Sequence, residues 1–141
     1  MHQENYTFER VMIVDDNDVD RYTAAYVMKK NFFAKEIVEF NMATKAIDYL
    51  EQHQYNQELL PAIILLDINM PCMDGFEFME RLSQLQYCVK QSCCIIMLST
   101  SLNPKDHKRA EENPVIKQFF NKPLKKADLV GISKFYSEAV I

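Results

Sequence analysis

Five polar residues follow apolar runs in this chain, and their types are ones that chemistry can use. Asp67 closes Ala62-Ile63-Ile64-Leu65-Leu66, and Asp15-Asp16 close Val11-Met12-Ile13-Val14. An uninterrupted apolar run ending in a carboxylate is the pattern of a buried parallel strand that delivers a polar group to the carboxyl edge of its sheet. Desolvating a lone carboxylate is costly, so Asp67 requires a partner elsewhere in the chain. Ser99 ends another apolar run, Cys93 to Leu98, and Lys122 follows Val115 to Phe120. Three carboxylates at neighbouring strand ends repel one another unless their pKa values rise or a cation holds them. Mg2+ suits such a set: it prefers oxygen ligands, binds through one or two carboxylates plus waters and leaves room for a phosphoryl oxygen. Lys122 then offers a point charge, and Ser99 a hydroxyl donor, to the equatorial oxygens of a transferring phosphoryl group, which leaves Asp67 as the nucleophile.

The elements that must hold these groups follow from periodicity. Between Asp18 and about Lys30 there is no Gly or Pro, and Ala24, Val27 and Met28 share one helical face, with Tyr22 and Tyr26 opposite. Glu36-Ile37-Val38-Glu39-Phe40 alternates as a strand, and Asn41 is placed to cap a helix carrying Ala43, Ala46, Ile47 and Leu50. After Asp67, Met70-Pro71 and Asp74-Gly75 predict a tight loop before a helix that presents Phe78, Met79, Leu82 and Leu85. Asn103-Pro104 and Asn113-Pro114 bracket a short polar helix, and the last helix carries Leu129, Ile132, Tyr136 and Ala139 on one face. Strand and helix alternating five times predict an α/β fold, a doubly wound, five-stranded, mainly parallel sheet with helices on both faces. In such folds the site lies beyond the carboxyl ends of the strands, where strand order reverses. That rule gathers Asp15, Asp16, Asp67, Ser99 and Lys122.

At 141 residues the chain has the size of one domain, expected over 1–141 with its core from about 10 to 139. No apolar run approaches the length of a membrane span, and the first residues, Met1-His2-Gln3-Glu4-Asn5, lack a basic region followed by an apolar one, so a cytoplasmic protein is expected. A net charge of -4 argues against nucleic acid as a partner, with Lys122, Lys125 and Lys126 making only a local basic patch. Cys72, Cys88, Cys93 and Cys94 have neither Cys-x-x-Cys spacing nor histidines at metal spacing, and read as reduced thiols.

Taken together, Asp15-Asp16 after a strand, Asp67 with Met70-Pro71 and Asp74-Gly75, Ser99 after an apolar strand, and Lys122-Pro123 resemble the receiver domain of two-component response regulators in its single-domain form. The resemblance runs from about Arg10 to Ala139. It implies a (βα)5, flavodoxin-like fold without an output domain, and a regulator rather than a turnover enzyme. Asp67 would take a phosphoryl group from a histidine kinase or histidine phosphotransfer protein in a Mg2+-dependent reaction. It also implies that Asp16, Asp67 and the backbone carbonyl of Asn69 ligate the metal, with Asp15 acting through water. Ser99 and Phe119 would form a switch pair that reshapes the face of the fourth helix, fifth strand and fifth helix for a downstream protein. Three positions depart from the family pattern: Asn113-Pro114-Val115-Ile116 replaces the usual Gly-Ala, Phe119 stands where tyrosine is common, and Ser99 where threonine is frequent.

Other readings compete with parts of this one. Asp16-Asn17-Asp18-Val19-Asp20 begins like a calcium loop, yet Arg21 occupies the glycine position and Val27 the bidentate Glu position. Asp15-Asp16 alone could serve as helix-capping acids, Lys122 as a solvated lysine, Ser99 as a cap and Phe119 as plain core. An aspartyl-phosphate phosphatase would want Asp-x-Asp at a strand end, whereas Asp67-Ile68-Asn69 lacks the second acid. A receiver-like interaction protein indifferent to phosphate is the remaining alternative.

Overall fold

The computed structural model describes residues 5–70, 73–85, 93–100 and 103–140, with side chains up to Ser137. Met1 to Glu4, Pro71, Cys72, Cys88, Ser101 and the side chain of Ala139 lie outside the described residues. Among the described residues strand and helix alternate: β1 (Phe8–Val14), α1 (Asp18–Lys30), β2 (Ala34–Phe40), α2 (Ala43–Gln52), β3 (Ile63–Leu66), α3 (Gly75–Leu82), β4 (Cys94–Ser99), α4 (Pro104–Glu112), β5 (Ile116–Asn121) and α5 (Lys126–Val140). A single 3-10 turn, Gln57–Leu59, precedes β3. All pairings are parallel, in the order β2-β1-β3-β4-β5. The order reverses between β1 and β3, the neighbours that end at Asp15 and Asp67.

Because side chains alternate across a strand, each central strand feeds two cores. Met12, Val14, Ile64 and Leu66 pack with Ala46, Ile47 and Leu50 of α2 and with Phe78, Met79 and Leu82 of α3. Val11, Ile13, Ile63 and Leu65 pack on the opposite face with Ala24 and Met28 of α1 and with Leu129 and Ile132 of α5. Burial on both faces explains why β1, β3 and β4 read as continuous apolar runs. Each fully buried Ile or Leu contributes about 1.5–3 kcal/mol of transfer free energy, so these strands are firm supports for the groups at their ends.

The helix starts follow capping chemistry. The side chains of Asn17, Asp74 and Asn103 accept backbone N–H bonds from Asp20, Glu77 and Lys105, starting α1, α3 and α4. Asn41 does not cap α2: Met42 occupies that position without a side-chain bond, and the Asn41 amide oxygen accepts from Lys45 Nζ at 3.4 Å instead. The helix therefore begins one residue later than expected, held by its apolar face rather than by a cap. Among the described residues, no helix is long and apolar enough to cross a membrane.

Candidate functional site

The backbone brings the site together at the carboxyl edge of the sheet. The Asp15 N–H donates to the Phe40 carbonyl (3.1 Å) and the Asp67 N–H to the Val14 carbonyl (3.0 Å), so the ladders extend one residue past β1 and β3 and fix both aspartates. The Lys122 N–H donates to the Ser99 carbonyl at 3.0 Å, joining the ends of β4 and β5 in the same way. Asp15, Asp67 and Ser99 are the buried polar residues among those described, at 4%, 6% and 0% exposure. Asp16, one residue beyond Asp15, is exposed.

Lys122 reaches into this group with a side chain that is 8% exposed. Its Nζ lies 2.6 Å from Asp15 Oδ2, 2.8 Å from Asp20 Oδ2 and 3.4 Å from Asp67 Oδ2. The other oxygen of Asp15 accepts the Asn17 N–H at 2.9 Å, and that of Asp67 the Asn69 N–H at 3.4 Å. Burial pushes the Asp67 carboxyl up to about 6; the Lys122 ammonium pulls it down, and the Asp15 carboxylate pushes it further up. Burial opposes charge on Lys122 as well, but hydrogen bonds to Asp15 and Asp20 and the charge of Asp67 raise it above the usual lysine value. The two shifts are compatible because the short bonds of the ammonium go to Asp15 and Asp20, leaving Asp67 with the longest contact.

One carboxylate oxygen from each of Asp15, Asp16 and Asp67 can be chosen so that all three lie within 4.8 Å of one another. Three hard oxygen donors at that spacing, with Lys122 as the one lysine paired to them among the described residues, fit a small divalent cation such as Mg2+. Asn69 is exposed beside them, two residues beyond Asp67. Ser99 is sealed at the end of β4, one strand away from Asp67. Phe119, half-buried on β5, packs its ring on His107 of α4, with centroids 4.2 Å apart. Asp15, Asp16, Asp67, Ser99 and Lys122 thus converge at the strand ends, and Phe119 lies on the face of β5 that packs against α4 and the core beneath α2 and α3.

Asp20 belongs to this constellation and was not foreseen. Its signals are a place in the alternating acids of Asp16 to Asp20 and an acid at the third helical position behind an Asn cap, which any helix start explains. Arg21 also supports the site, donating from its guanidinium to the Asp15 carbonyl at 2.7 Å while pairing with Asp18 and with Glu39.

A sequence profile of the response regulator receiver domain matches residues 11–134. This chain belongs to that family. The receiver fold is equally evident in a two-component response regulator from Cytophaga hutchinsonii, whose crystal structure superposes with a TM-score of 0.82 at 26% identity, covering 94% of this chain and 97% of that one. Among curated relatives, a probable methanogenesis regulatory protein, FilR2, of Methanothrix harundinacea is 27% identical over 119 residues, which is 84% of this chain and 75% of the relative. Hybrid signal transduction histidine kinase C of Dictyostelium discoideum is 28% identical over 135 residues, 93% of this chain but 10% of that kinase. Receiver sequences like this one therefore occur both in short proteins and inside much longer ones.

Proposed function

We propose that this receiver domain is a phosphoacceptor switch: a histidine kinase or histidine phosphotransfer protein donates a phosphoryl group to Asp67, and the phosphorylated side chain alters a partner-binding face. The observation that carries this is the Lys122 ammonium, buried and shared among Asp15, Asp20 and Asp67 at the strand ends. In the transfer, an Asp67 oxygen bonds to phosphorus as the phosphorus–nitrogen bond of the donor's phosphohistidine breaks. The electron pair of that bond stays on the imidazole nitrogen, and the product is an acyl phosphate. With its pKa near 6, Asp67 is ionised at neutral pH and able to attack.

Asp15, Asp16, Asp67 and the backbone carbonyl of Asn69 are the groups that would hold Mg2+, Asp15 through water. Bound there, the ion supplies positive charge that offsets the carboxylates and the incoming phosphoryl oxygens. Lys122 offers its charge to the same oxygens, and the Ser99 hydroxyl offers a hydrogen bond. Ser99 and Phe119 form the proposed switch pair, supported by the backbone bond that joins Ser99 to Lys122 and by the packing of Phe119 on α4. The face of α4, β5 and α5 would then meet a downstream protein in the cytoplasm, and the domain acts as a regulator, not as an enzyme of sustained turnover.

The test is incubation with acetyl phosphate and Mg2+ followed by intact mass spectrometry. One phosphoryl adduct is expected, absent with EDTA and absent from Asp67→Asn; no adduct, or one that survives Asp67→Asn, overturns the proposal.

A further inference from the structure

We propose that Asp20 is a positioning residue that holds the Lys122 ammonium in reserve and so limits how readily a phosphoryl group settles on Asp67, an inference that rests on Asp67 being the phosphoacceptor. Lys122 carries three N–H donors. Its two short contacts go to Asp15 at 2.6 Å and Asp20 at 2.8 Å, and the 3.4 Å contact to Asp67 is the weakest of the three. The carboxylate that is to be phosphorylated is thus the one the cation serves least.

The two competing carboxylates differ in how easily they release the ammonium. Asp15 is buried, its second oxygen already accepts the Asn17 N–H, and stripping Lys122 from it would leave a desolvated charge without its cation. Asp20 stands on the first turn of α1 with its side chain 35% exposed, so water replaces the ammonium there at small cost. Its backbone is nevertheless fixed, because the Asp20 N–H donates to the capping oxygen of Asn17 at 3.0 Å. Asp20 is therefore a rigidly mounted but exchangeable holder for Lys122.

A phosphoryl group arriving at Asp67 brings oxygens that are better partners for the ammonium than the present long contact, and Lys122 leaves Asp20 to reach them. Until then the Asp20 carboxylate works against phosphoryl transfer by occupying one donor of Lys122. Replacing it with asparagine turns that charge-assisted hold into a weaker neutral one without removing any group proposed to touch the phosphorus.

The experiment measures the rate constant of phosphorylation by acetyl phosphate in saturating Mg2+ for the wild type, Asp20→Asn, Asp20→Glu, and both Lys122→Ala and Lys122→Ala with Asp20→Asn. Asp20→Asn is expected to react roughly three- to tenfold faster, in line with the loss of one charge-assisted contact. Asp20→Glu should stay within twofold of wild type, and the gain should vanish in the Lys122→Ala background, which a merely structural role or a general charge effect would not produce. Circular dichroism checks that each variant folds, and Asp20→Ser is scored by the same criteria if Asp20→Asn does not. A wild-type adduct with an unchanged or slower Asp20→Asn rate, or a gain that persists without Lys122, overturns the role of Asp20 alone. No adduct on the wild type removes the phosphoacceptor proposal and this inference with it.

Discussion

Gly75 lies against the backbone of Asp67: a Cβ on this glycine would sit 2.8 Å from the Asp67 carbonyl oxygen and 3.0 Å from Ile68 Cα. The Gly75 N–H also donates to the Ile68 carbonyl at 2.8 Å, so the first residue of α3 lies directly against the end of β3. Only a residue without a side chain permits that approach. Gly75→Ala should therefore destabilise the protein by about 1–3 kcal/mol and slow phosphorylation of Asp67, because backbone has to move where backbone is met. Gly131→Ala in mid-helix α5, where the nearest atom is Phe120 Cζ at 3.9 Å, should instead stabilise by about 0.5–1 kcal/mol. Urea denaturation of the two variants checks the contrast.

Asp67 makes stability depend on pH in a defined direction. Its carboxyl titrates near 6 in the folded chain, above its ordinary value of 3.8, so the folded state holds the proton more tightly than the unfolded state does. The ionised group therefore costs stability above about pH 6, and the cost fades as pH falls from 6 towards 4. In EDTA at pH 7.5, Asp67→Asn should be more stable than wild type by about 1–3 kcal/mol, with the gap closing towards pH 4. Thermal unfolding of both proteins across this pH range decides it; a gap that widens towards acid contradicts the prediction.

Removal of the cation should have the opposite effect. Lys122→Met leaves Asp15 and Asp67 buried without their ammonium, and a loss of about 2–4 kcal/mol is expected at pH 7.5. The loss should be smaller in an Asp67→Asn background, where one of the two stranded charges is gone. Chemical denaturation of the four proteins of this cycle measures the coupling.

Mg2+ should raise the melting temperature through the acidic cluster. At ten times its dissociation constant the ion adds about 1.4 kcal/mol to stability. Asp16 is exposed, so Asp16→Ala should leave stability in EDTA nearly unchanged while abolishing most of the Mg2+-dependent gain. A thermal titration with and without Mg2+ separates the two effects. Binding should also weaken as pH falls below about 6, because the proton and the ion compete for Asp67.

How far the site was legible in the residues depends on how local its causes are. The runs ending at Asp15, Asp67 and Ser99 announce β1, β3 and β4, because strands buried on both faces have no polar alternation to blur them. Asn103-Pro104 announces the start of α4 for an equally local reason. Asn41 misled because a good capping residue one position early is locally as plausible as the observed start, which the apolar face of α2 decides. Lys117 is an extra residue in β5, where the pairing with β4 shifts between Ile95 and Ile96, and only the finished sheet reveals it. The left-handed turn at Phe32, with φ of 53°, has no glycine to signal it. Asp20 could not be read at all: its partner, Lys122, is 102 residues away, and the contact exists only once α1 is docked against the end of β5.

The strand order leaves β2 and β5 as the two edges of the sheet, and their residues bear on whether copies of this chain stick to one another. Each edge has a row of backbone groups open to pairing, which is the usual starting point for aggregation. β2 carries Lys35, Glu36 and Glu39 on exposed positions, and β5 carries Lys117 and Asn121. A stray strand approaching either border would have to strip water from charged or polar side chains before gaining its first backbone hydrogen bond. The polarity that makes these two strands the least conspicuous in the sequence is thus what keeps an otherwise very apolar sheet from growing a sixth strand.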